Sequence, residues 1–313
     1  MPVRHVHGIT GAVLGGIMTL ETIAAKVDRY INPHWKDGTP LATGLPNLTV
    51  QRHFKTTLKE AHLGTPSLCL ILQGKREVTA AGISIENGAG QSQILSHALF
   101  LTNRITRASE AAPYLSLNLT LDLSVMRSLY DQIGDTVFDE ADGPALAGAA
   151  TDETLLDALG RYFALAARPW DTDVMVPLLL REIHYRLLTA PHGGMLRQLL
   201  IRDSAASRVA RVTWRIRQGF RTPLNMAEMA KVAGMSESSF YANFKTITGT
   251  TPLQYQKDLR LLEARRLIMA GNSAVSAAAR AVGYDSATQF SREYARKFGA
   301  SPRNSIGGTR ALM

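Results

Sequence analysis

Two stretches of the C-terminal third decide the fold: AKVAGMSESSFYANFKTITGTTP at residues 230–252 and ARAVGYDSATQFSREYARKFGASP at residues 279–302. Their landmarks repeat at an offset of 49 residues before a central turn and 50 residues after it, which leaves one inserted residue at Asp285. The matched pairs are Ala230 and Ala279, Gly234 and Gly283, Phe240 and Phe290, Phe244 and Tyr294, Gly249 and Gly299, and Pro252 and Pro302. A fixed offset over so many landmarks indicates a duplicated structural unit.

Each copy of this unit has the features of a helix-turn-helix. Glycine at the turn positions Gly234 and Gly283 permits the positive φ that lets a chain reverse between two helices within about three residues. Ala230 and Ala279 are small where the two helices have to cross closely. The predicted N-cap residues are Asn225, followed by Glu228 on the capping-box pattern, and Ser236 in the first unit, with Ser273 and either Asp285 or Ser286 in the second.

The second helix of each unit has one apolar face and one polar face. Phe240 and Phe244 lie four residues apart, as do Phe290 and Tyr294, and each pair therefore shares the face that packs inward. The opposite face is left to meet DNA. Its predicted contact residues are Ser238, Ser239, Tyr241, Ala242 and Lys245 in the first unit, and Ala287, Thr288, Ser291, Arg292 and Arg296 in the second. A helical repeat used only for packing is the alternative, and the local concentration of basic charge argues against it.

A long helix is predicted between the two units, over PLQYQKDLRLLEARRLIMAG at residues 252–271. Its two apolar rows are Tyr255, Leu259 and Leu262, and Leu261, Ala264 and Ile268. About 19 residues at a rise of ~1.5 Å span roughly 28 Å. Because successive major grooves on one face of DNA lie ~34 Å apart, a rigid helix of this length could hold two recognition helices in adjacent grooves.

The charge of the 313-residue chain is concentrated in its last third. Residues 1–200 contain 17 Lys and Arg against 19 Asp and Glu, whereas residues 201–313 contain 18 against 7. The net charge of +9 therefore divides into −2 and +11. A basic segment beside a near-neutral remainder indicates a polyanionic partner, either nucleic acid or an anionic membrane surface. Hydrophobic residues make up 45%, enough for a packed core, and no apolar stretch reaches the ~18 residues that span a bilayer.

Residues 45–121 have the pattern of short strands separated by Gly, Pro, Asn and Ser. The predicted strands are Leu48–Val50, Leu68–Gln73, Glu77–Ala80, Ser92–Ser96, Leu99–Thr102 and Tyr114–Leu121. Gln73-Gly74-Lys75 predicts a tight hairpin turn, and Asn87-Gly88 predicts a second turn. Strands at a spacing of roughly 8–12 residues favour an antiparallel barrel or sandwich.

Helical spacing of apolar residues flanks the strand region. It predicts helices at Met18–Ile31, Asp122–Ile133, Thr154–Ala167 and Val174–Leu188, with an acidic loop rich in Gly and Ala at Asp135–Thr151. Pro177 is expected in the first turn of its helix. The stripe along that helix consists of Leu178, Leu179, Ile183 and Leu187, flanked by Glu182 and Arg186. This stripe fits either packing against the barrel or a dimer interface, and a helix of only two heptads does not decide between these alternatives.

The C-terminal third strongly resembles the DNA-binding domain of AraC/XylS-type transcription regulators. The resemblance is carried by GMSESSFYANFKTITGTTPLQYQKDLRLLEARRLIMAG at residues 234–271 and VGYDSATQFSREYARKFGASP at residues 282–302. Upstream, PSLCLILQGKREVTAAG, APYLSLNLTLD, REIHYRLLTAPHGGMLRQL and DSAASRVARVTWRI resemble the N-terminal domain of the same family, in the expected order. Over roughly residues 40–305 the resemblance implies a cupin-like β-barrel with flanking helices, followed by a seven-helix DNA reader.

The first recognition helix departs from the family pattern. Members of the family often have His-Arg-Arg or a similar string ahead of the core Phe, where this chain has Tyr241-Ala242-Asn243. We therefore expect the first unit to position the protein more than to read bases. The second unit keeps Ser291-Arg292-Glu293, so Arg292 is the expected bidentate contact to guanine. The residues expected to neutralise phosphates are Lys245, Arg296 and Lys297.

Catalytic and metal sites are not predicted. A metal-dependent cupin needs two or three His and a carboxylate on neighbouring strands, and the strand region holds no His-x-His pair. His97 and His184 lie in apolar settings that favour packing, and His5 and His7 lie in the N-terminal leader. Cys69, the one cysteine, has the strand context of a small buried hydrophobe, with a redox-sensing thiol as the alternative. The sequence contains no Gly-x-Ser-x-Gly, P-loop or dinucleotide fingerprint.

The sequence thus predicts an α+β protein. Its expected parts are a flexible leader at 1–17 (or translated sequence upstream of a start at Met18), a cupin-like effector-binding or dimerisation domain at 18–200, a double helix-turn-helix DNA-binding domain at 201–305 and a flexible tail at 306–313. We expect a cytoplasmic, sequence-specific DNA-binding transcription regulator that is homodimeric and is not an enzyme. The expected partners are double-stranded DNA, RNA polymerase and a small effector, with no cofactor, metal or membrane.

Two other functions stay open on the sequence. One is a cupin-like enzyme that carries a DNA-binding tail, and the other is an interaction protein whose barrel serves only for dimerisation. The sequence does not assign the effector, its contact residues or the operator, and it does not decide between activation and repression.

Overall fold

The strand-rich segment forms two antiparallel sheets in the computed structural model, which describes residues 17–34, 38–134, 143–270 and 274–304. Within those ranges the strands are β1 (Leu41–Ala42), β2 (Leu48–His53), β3 (Glu60–Leu63), β4 (Ser67–Gln73), β5 (Lys75–Ala80), β6 (Ile83–Gly88), β7 (Gln91–Leu95), β8 (Phe100–Arg107), β9 (Tyr114–Thr120) and β10 (Leu146–Ala150). The six-stranded sheet has the order β1-β2-β9-β4-β7-β10, and the four-stranded sheet has the order β3-β8-β5-β6. The predicted leader and tail lie outside the described residues, apart from Ile17.

The six-stranded sheet packs one face against the flanking helices. Leu48 and Val50 of β2 lie opposite Leu119 and Leu117 of β9, so all four side chains share one face. They are buried with residues of the surrounding helices in one cluster. These helices are α1 (Leu20–His34), α2 (Leu123–Ile133), α3 (Glu153–Ala164), α4 (Thr172–Thr189) and α5 (Gly194–Leu200), with 3₁₀ turns at Leu165–Ala167 and Pro169–Asp171.

The turn at Gly74 is not the predicted hairpin. It joins β4 of the six-stranded sheet to β5 of the four-stranded sheet, so the two strands it connects are not paired. Gly74 has φ +79°, and a Cβ there would lie 2.5 Å from the carbonyl oxygen of Arg107. The glycine is therefore needed for a tight corner between sheets. The second predicted turn is displaced, because Asn87 and Gly88 still belong to β6 and the chain turns at residues 89–90.

The predicted loop at residues 135–151 contains a strand. β10 pairs with β7 at the edge of the six-stranded sheet, from Leu146 opposite Leu95 to Ala150 opposite Gln91. A Cβ on Gly148 would lie 2.8 Å from the side-chain nitrogen of Asn87. Glycine is thus required at position 148, where this strand lies against β6. Because alanine and glycine have low strand propensity, the sequence did not predict the strand.

The helices flanking the sheets differ from their predictions at α4 and α5. Pro177 lies inside α4 and not in its first turn, because the helix begins at Thr172, before the predicted start. α5 begins at Gly194, within the Gly-rich break, and the sequence pattern predicts no helix there. In the apolar stripe of α4, Leu179, Ile183 and Leu187 are buried, whereas Leu178 on the other face is 57% exposed. Packing within the N-terminal half therefore accounts for Leu179, Ile183 and Leu187, but not for Leu178.

The C-terminal half is helical and shares a core with the strands. It consists of α6 (Ala205–Gln218), α7 (Met226–Ala233), α8 (Glu237–Thr248), α9 (Pro252–Met269), α10 (Val275–Ala281) and α11 (Ala287–Phe298). One buried cluster includes Val78, Leu99, Leu146, Val209, Phe240 and Tyr255. The Tyr255 hydroxyl donates a hydrogen bond to the Ala98 carbonyl at 2.8 Å. The protein is thus an α+β molecule, with antiparallel sheets and flanking helices at its N-terminal end and a helical C-terminal half, as predicted.

No helix in the described part of the chain has the length and apolar character needed to cross a membrane.

Candidate nucleic-acid interface

α7 and α8 form the first helix-turn-helix. The Asn225 side chain caps α7 by accepting a hydrogen bond from the Glu228 backbone N–H, and Ser236 caps α8 through the Ser239 N–H. Gly234 ends α7 in the left-handed conformation at φ +63°. Ala230 is buried at the crossing of the two helices. These positions have the roles that their residue types predict.

α10 and α11 repeat this geometry. Gly283 has φ +89°, and a Cβ there would lie 2.2 Å from the Arg221 carbonyl oxygen. Ser286, not Asp285, caps α11 through the Gln289 N–H. Ser273 lies outside the described residues, and Ala274, which has no capping side chain, occupies the N-cap position of α10.

The α9 helix joins the two units. Thr251 caps its N-terminus, and Pro252 occupies the first turn. Tyr255 and Leu259 are buried in the cluster that contains α8, whereas Leu261, Ala264 and Ile268 are buried with residues of α10 and α11. One helix therefore supplies core residues to each unit, and the two predicted apolar rows are buried except for Leu262, which is half-buried.

The aromatic residues of α8 and α11 point into the core and fix which face of each helix remains outside. Phe240, Phe244, Phe290 and Tyr294 are fully buried. Phe244 packs edge-to-face on Tyr255 of α9, with ring centroids 5.6 Å apart. Burial of these rings sets the rotation of each helix about its axis, so the opposite faces are presented outward.

On α8 the structure leaves most of the predicted contact residues exposed. The exposed ones are Ser238, Ser239, Ala242 and Lys245. Tyr241 is half-buried and packs beside Phe240, with ring centroids 5.9 Å apart. The exposed predicted contacts on α8 are thus short side chains and one lysine.

On α11 the predicted residues share one surface. Ala287, Thr288, Ser291 and Arg292 line a shallow depression together with Ala295. Arg292 and Arg296 are exposed, and Ser291 is half-buried. Among the described residues, no side chain forms an ion pair with Arg292 or Arg296. Two guanidinium groups are therefore available on this surface for an anionic partner.

Lys297 is placed differently from its expected role at phosphate. Its ammonium group lies 2.8 Å from a carboxylate oxygen of Asp258 on α9. The same group lies 5.1 Å from the ring centroid of Phe100 in β8. Lys297 thus packs toward the strands, and the assignment to a DNA phosphate is not supported by its position.

Two polar residues that sequence reasoning missed hold the second unit together. Arg260 donates hydrogen bonds to the carbonyl oxygens of Phe220, Arg221 and Gly283, which ties α9 to the turn of the second unit. Glu293 accepts hydrogen bonds from Gln289, Tyr284 and Lys257. Partial burial alone would raise the pKa of Glu293, but these hydrogen bonds outweigh it and hold the pKa below its ordinary value. Apart from Gln289, which precedes Glu293 by one helical turn on α11, these partners belong to other elements and could not be predicted from local sequence.

A polar cluster lies on the facing sides of the two sheets. Arg76 donates a hydrogen bond to the Cys69 sulfur at 3.3 Å. Cys69 and Tyr114 are buried, which agrees with the packing role predicted for Cys69. Burial, together with the charge of Arg76, lowers the pKa of His62 to about 4. The four residues come from four different strands, β3, β4, β5 and β9, so no sequence spacing could have predicted their meeting.

Among the residues that the structure describes, the other histidines and the acidic residues form no metal centre. His97 and His184 are buried, as predicted for packing residues. Within the described ranges, no group of three or more His, Cys, Asp or Glu side chains is arranged to hold a metal ion. Each of the two buried histidines has a backbone hydrogen-bond partner: the Ala206 carbonyl for His97 and the Leu180 carbonyl for His184.

Two family profiles match the chain. The profile described as "AraC-type transcriptional regulator N-terminus" matches residues 44–195, and the profile described as "Helix-turn-helix domain" matches residues 229–305. The chain belongs to the AraC family of transcriptional regulators. The second match spans both helix-turn-helix units, and the first spans the sheets, so the family assignment covers both halves of the fold.

Curated relatives match parts of the chain. Probable transcriptional regulator LumQ of Photobacterium leiognathi is 37% identical over 87 residues, which are 28% of this chain and 35% of LumQ. The RCS-specific transcriptional activator RclR of Escherichia coli is 29% identical over 143 residues, or 45% of this chain and 43% of RclR. The chain thus matches well under two thirds of the length of these relatives.

A solved structure shares the whole fold. ToxT of Vibrio cholerae, bound to (E)-4-(8-methylnaphthalen-1-yl)but-3-enoic acid, aligns with a TM-score of 0.56 over 83% of this chain and 97% of ToxT, at 12% identity. ToxT bound to an unsaturated fatty acid aligns with a TM-score of 0.53 over 87% and 96%, at 11% identity. At such identities the likeness establishes the fold alone.

Proposed function

We propose that this AraC-family protein is a sequence-specific DNA-binding transcription regulator. The observation that carries the proposal is the pair of helix-turn-helix units, each with its aromatic residues buried and its opposite face exposed, in a segment with a net charge of +11. Net positive charge supplies the sequence-independent part of DNA affinity, and residues on the second helix of each unit supply the specific part.

The two units have different roles in this proposal. Arg292 reads a base edge, since its guanidinium is exposed on α11 and has no ion-pair partner in the described chain. Lys245 and Arg296 neutralise phosphates. The short side chains of α8, including Ala242, suit close approach to the DNA and positioning more than base readout. The remaining proposed contacts are Ser238, Ser239, Tyr241, Ala287, Thr288 and Ser291.

We assign the N-terminal half, residues 18–200, to effector binding and dimerisation, and residues 201–305 to DNA binding. ToxT, which shares the fold, has been solved bound to an arylalkenoic acid and to an unsaturated fatty acid, and this supports a small-molecule effector here. The regulator acts as a homodimer in the cytoplasm, contacts RNA polymerase at promoters, and has no enzymatic activity.

In-vitro selection of bound duplexes by the purified full-length chain tests this function. We expect enrichment of one motif with two half-sites about one helical turn apart for each pair of units. A matched control chain carries Phe240→Ala and Phe290→Ala, which remove the core rings of both recognition helices, and should enrich nothing. If the intact chain binds duplexes without enriching any motif, a sequence-specific role is contradicted.

A further inference from the structure

Each helix that precedes a helix-turn-helix unit supplies one arginine to the turn of that unit. Arg208 of α6 donates a hydrogen bond to the Gly234 carbonyl of the first unit, and Arg260 of α9 donates to the Gly283 carbonyl of the second at 2.8 Å. We propose that Arg208 is a positioning residue for the first recognition helix, α8, and couples this helix to the turn between α5 and α6. We call that turn, at residues 201–204, the linker turn.

The two arginine contacts are equivalent in the fold but not in the sequence. Gly234 and Gly283 are matched positions of the repeat, 49 residues apart. The same offset from Arg208 leads to Lys257 and not to Arg260. Two arginines at unmatched positions thus reach the same backbone atom of their units, which indicates that each turn requires a donor at this point.

A donor at the Gly234 carbonyl fixes the direction in which α8 starts. Gly234 ends α7 in the left-handed conformation, and Ser236 caps α8 only two residues later. Arg208 also lies 3.5 Å from the carbonyl oxygen of Ala233, the last residue of α7. Carbonyl groups at the end of a helix have no partners within that helix and carry partial negative charge. A guanidinium group therefore satisfies them through charge-assisted hydrogen bonds.

The same guanidinium group joins the first turn to the linker turn. Nε of Arg208 donates to the Asp203 carbonyl at 2.7 Å, while Nη1 donates to the Gly234 carbonyl. Asp203 has φ +59°, and its carboxylate lies 3.9 Å from Nε of Arg208. Because the donors of a guanidinium group have a fixed planar geometry, the two carbonyl groups are held at a fixed separation. A displacement of the linker turn therefore moves the start of α8.

The second turn is tied to a different part of the chain. The other hydrogen bonds of Arg260 reach the carbonyls of Phe220 and Arg221, which follow α6 within the C-terminal half. The linker turn instead follows α5, and its Ser204 hydroxyl donates to the Gln198 carbonyl of α5 at 2.5 Å. A shift of α5 against α6 is thus transmitted by Arg208 to α8, and it changes the placement of α8 relative to α11.

Backbone amide exchange of the full chain without DNA tests this role. The N–H groups of Met235 and Tyr284 each donate a hydrogen bond of 3.0 Å across their own turn, so each reports the opening of one unit. Arg208→Ala should raise the exchange rate at Met235 about ten-fold or more and leave that of Tyr284 unchanged within about two-fold, because a hydrogen bond from a charged group is lost in one turn only. Arg260→Ala should do the reverse.

Two further variants separate positioning from a general loss of stability. Arg208→Lys keeps the charge and a donor but not the planar bridge, so its exchange rate at Met235 should lie between those of the native chain and Arg208→Ala. Arg211, on the same helix, pairs with the Asp203 carboxylate at 3.2 Å, and Arg211→Ala should leave both turns unchanged. Equal rises at Met235 and Tyr284 in Arg208→Ala, or no rise at Met235, would overturn the positioning role.

Asp203→Gly tests the connection to the linker turn. Glycine accepts the left-handed conformation but lacks the carboxylate beside Arg208. This change should raise the exchange rate at Met235 about two- to five-fold in the native chain. In the Arg208→Ala background it should add less than about two-fold, because the effect passes through Arg208. No rise in the native chain, or an equal rise in both backgrounds, would overturn the connection.

The consequence for DNA rests on the proposed function, whereas the exchange measurements do not. In hydroxyl-radical footprints on the selected duplex, Arg208→Ala should weaken protection at one half-site and Arg260→Ala at the other. Equal weakening of both half-sites by Arg208→Ala would overturn its role in placing α8 on DNA. If the native chain selects no DNA, the proposed function fails, and amide exchange still decides whether Arg208 positions α8.

Discussion

At the scale of single residues, Arg292 has the most specific expected role. Replacing it with alanine should cost ~1–3 kcal/mol of binding free energy on the selected DNA site and little on unrelated duplex, because a base-edge contact is lost. Fluorescence anisotropy on both DNAs at one salt concentration measures this. Arg168→Ala, an exposed arginine of the N-terminal half, should change neither value. An equal loss on both DNAs would contradict base reading by Arg292.

Lys245 and Lys297 form a matched pair of lysines with opposite expectations. Lys245 is exposed on α8, so Lys245→Ala should reduce the slope of log K against log salt concentration by about 0.9. Lys297→Ala should leave the slope unchanged and lower the free energy of unfolding by ~1–3 kcal/mol, since the largely buried Asp258 loses its partner. Denaturant titrations and salt-dependent DNA binding separate the two effects, and a reduced slope in Lys297→Ala would restore the phosphate assignment.

The difference between these lysines shows what a sequence can predict at this scale. Helical spacing correctly placed Phe240 and Phe290 inside and Arg292 outside, because it depends only on positions within one helix. The surroundings of Lys297 depend on Asp258 in α9 and on Phe100 in β8. These contacts join residues far apart in the chain, and no local pattern encodes them.

At the scale of elements, two turn glycines should respond differently to alanine. Gly283 and Gly299 both have positive φ, but a Cβ on Gly283 would meet the Arg221 carbonyl at 2.2 Å, whereas a Cβ on Gly299 meets nothing within 4 Å. Gly299→Ala should therefore cost only about 1–2 kcal/mol of left-handed strain. Gly283→Ala should cost clearly more, because the turn against Arg221 has to open.

Chemical denaturation of both glycine variants tests this comparison. Arg260 donates to the Gly283 carbonyl and to the carbonyls of residues 220 and 221, so a displaced turn also strains these hydrogen bonds. We expect Gly283→Ala to weaken binding to the selected DNA as well, through the position of α11. Equal unfolding free energies for the two variants would show that the close approach at Gly283 is readily relieved.

The elements that sequence reasoning missed have a common physical cause. β10 consists largely of alanine and glycine, and at Gly148 the side chain of Asn87 in β6 leaves no room for a Cβ. Gly74 has the residue type of a hairpin turn, yet it connects two sheets. Helices with strong caps and regular apolar rows were predicted well, since those signals are local. Pairing of strands and the choice of sheet are not local, so they could not be predicted.

At the scale of the whole molecule, the two halves are joined by one core. Tyr255 of the linking helix packs on Phe100 of β8 with ring centroids 4.8 Å apart, and its hydroxyl reaches the Ala98 carbonyl. On the other side, His97 hydrogen-bonds to the Ala206 carbonyl in the first turn of α6 at 3.1 Å. The net charge of the sequence therefore changes at residue 200, but the buried core continues from the N-terminal half into the C-terminal half.

His97 makes the stability of this junction sensitive to acid. Burial lowers the pKa of His97 to about 4 from 6.5, even though the Ala206 carbonyl would favour a proton. The unfolded chain therefore takes up a proton first as the pH falls. The stability due to neutral His97 is complete above about pH 6.5 and is lost progressively as the pH falls toward 4.

The expected size of this loss is about 3 kcal/mol, from 1.36 kcal/mol for each unit of pKa shift. Urea titrations of the native chain and of His97→Gln between pH 7 and pH 4 should show that the unfolding free energy falls less steeply with pH in the variant.

His62, whose pKa is also lowered to about 4, should contribute a similar loss of stability in acid, so His62→Gln provides the comparison. A NMR titration of the His97 ring with a pKa near 6.5 would contradict both the burial argument and the coupling of protonation to the junction.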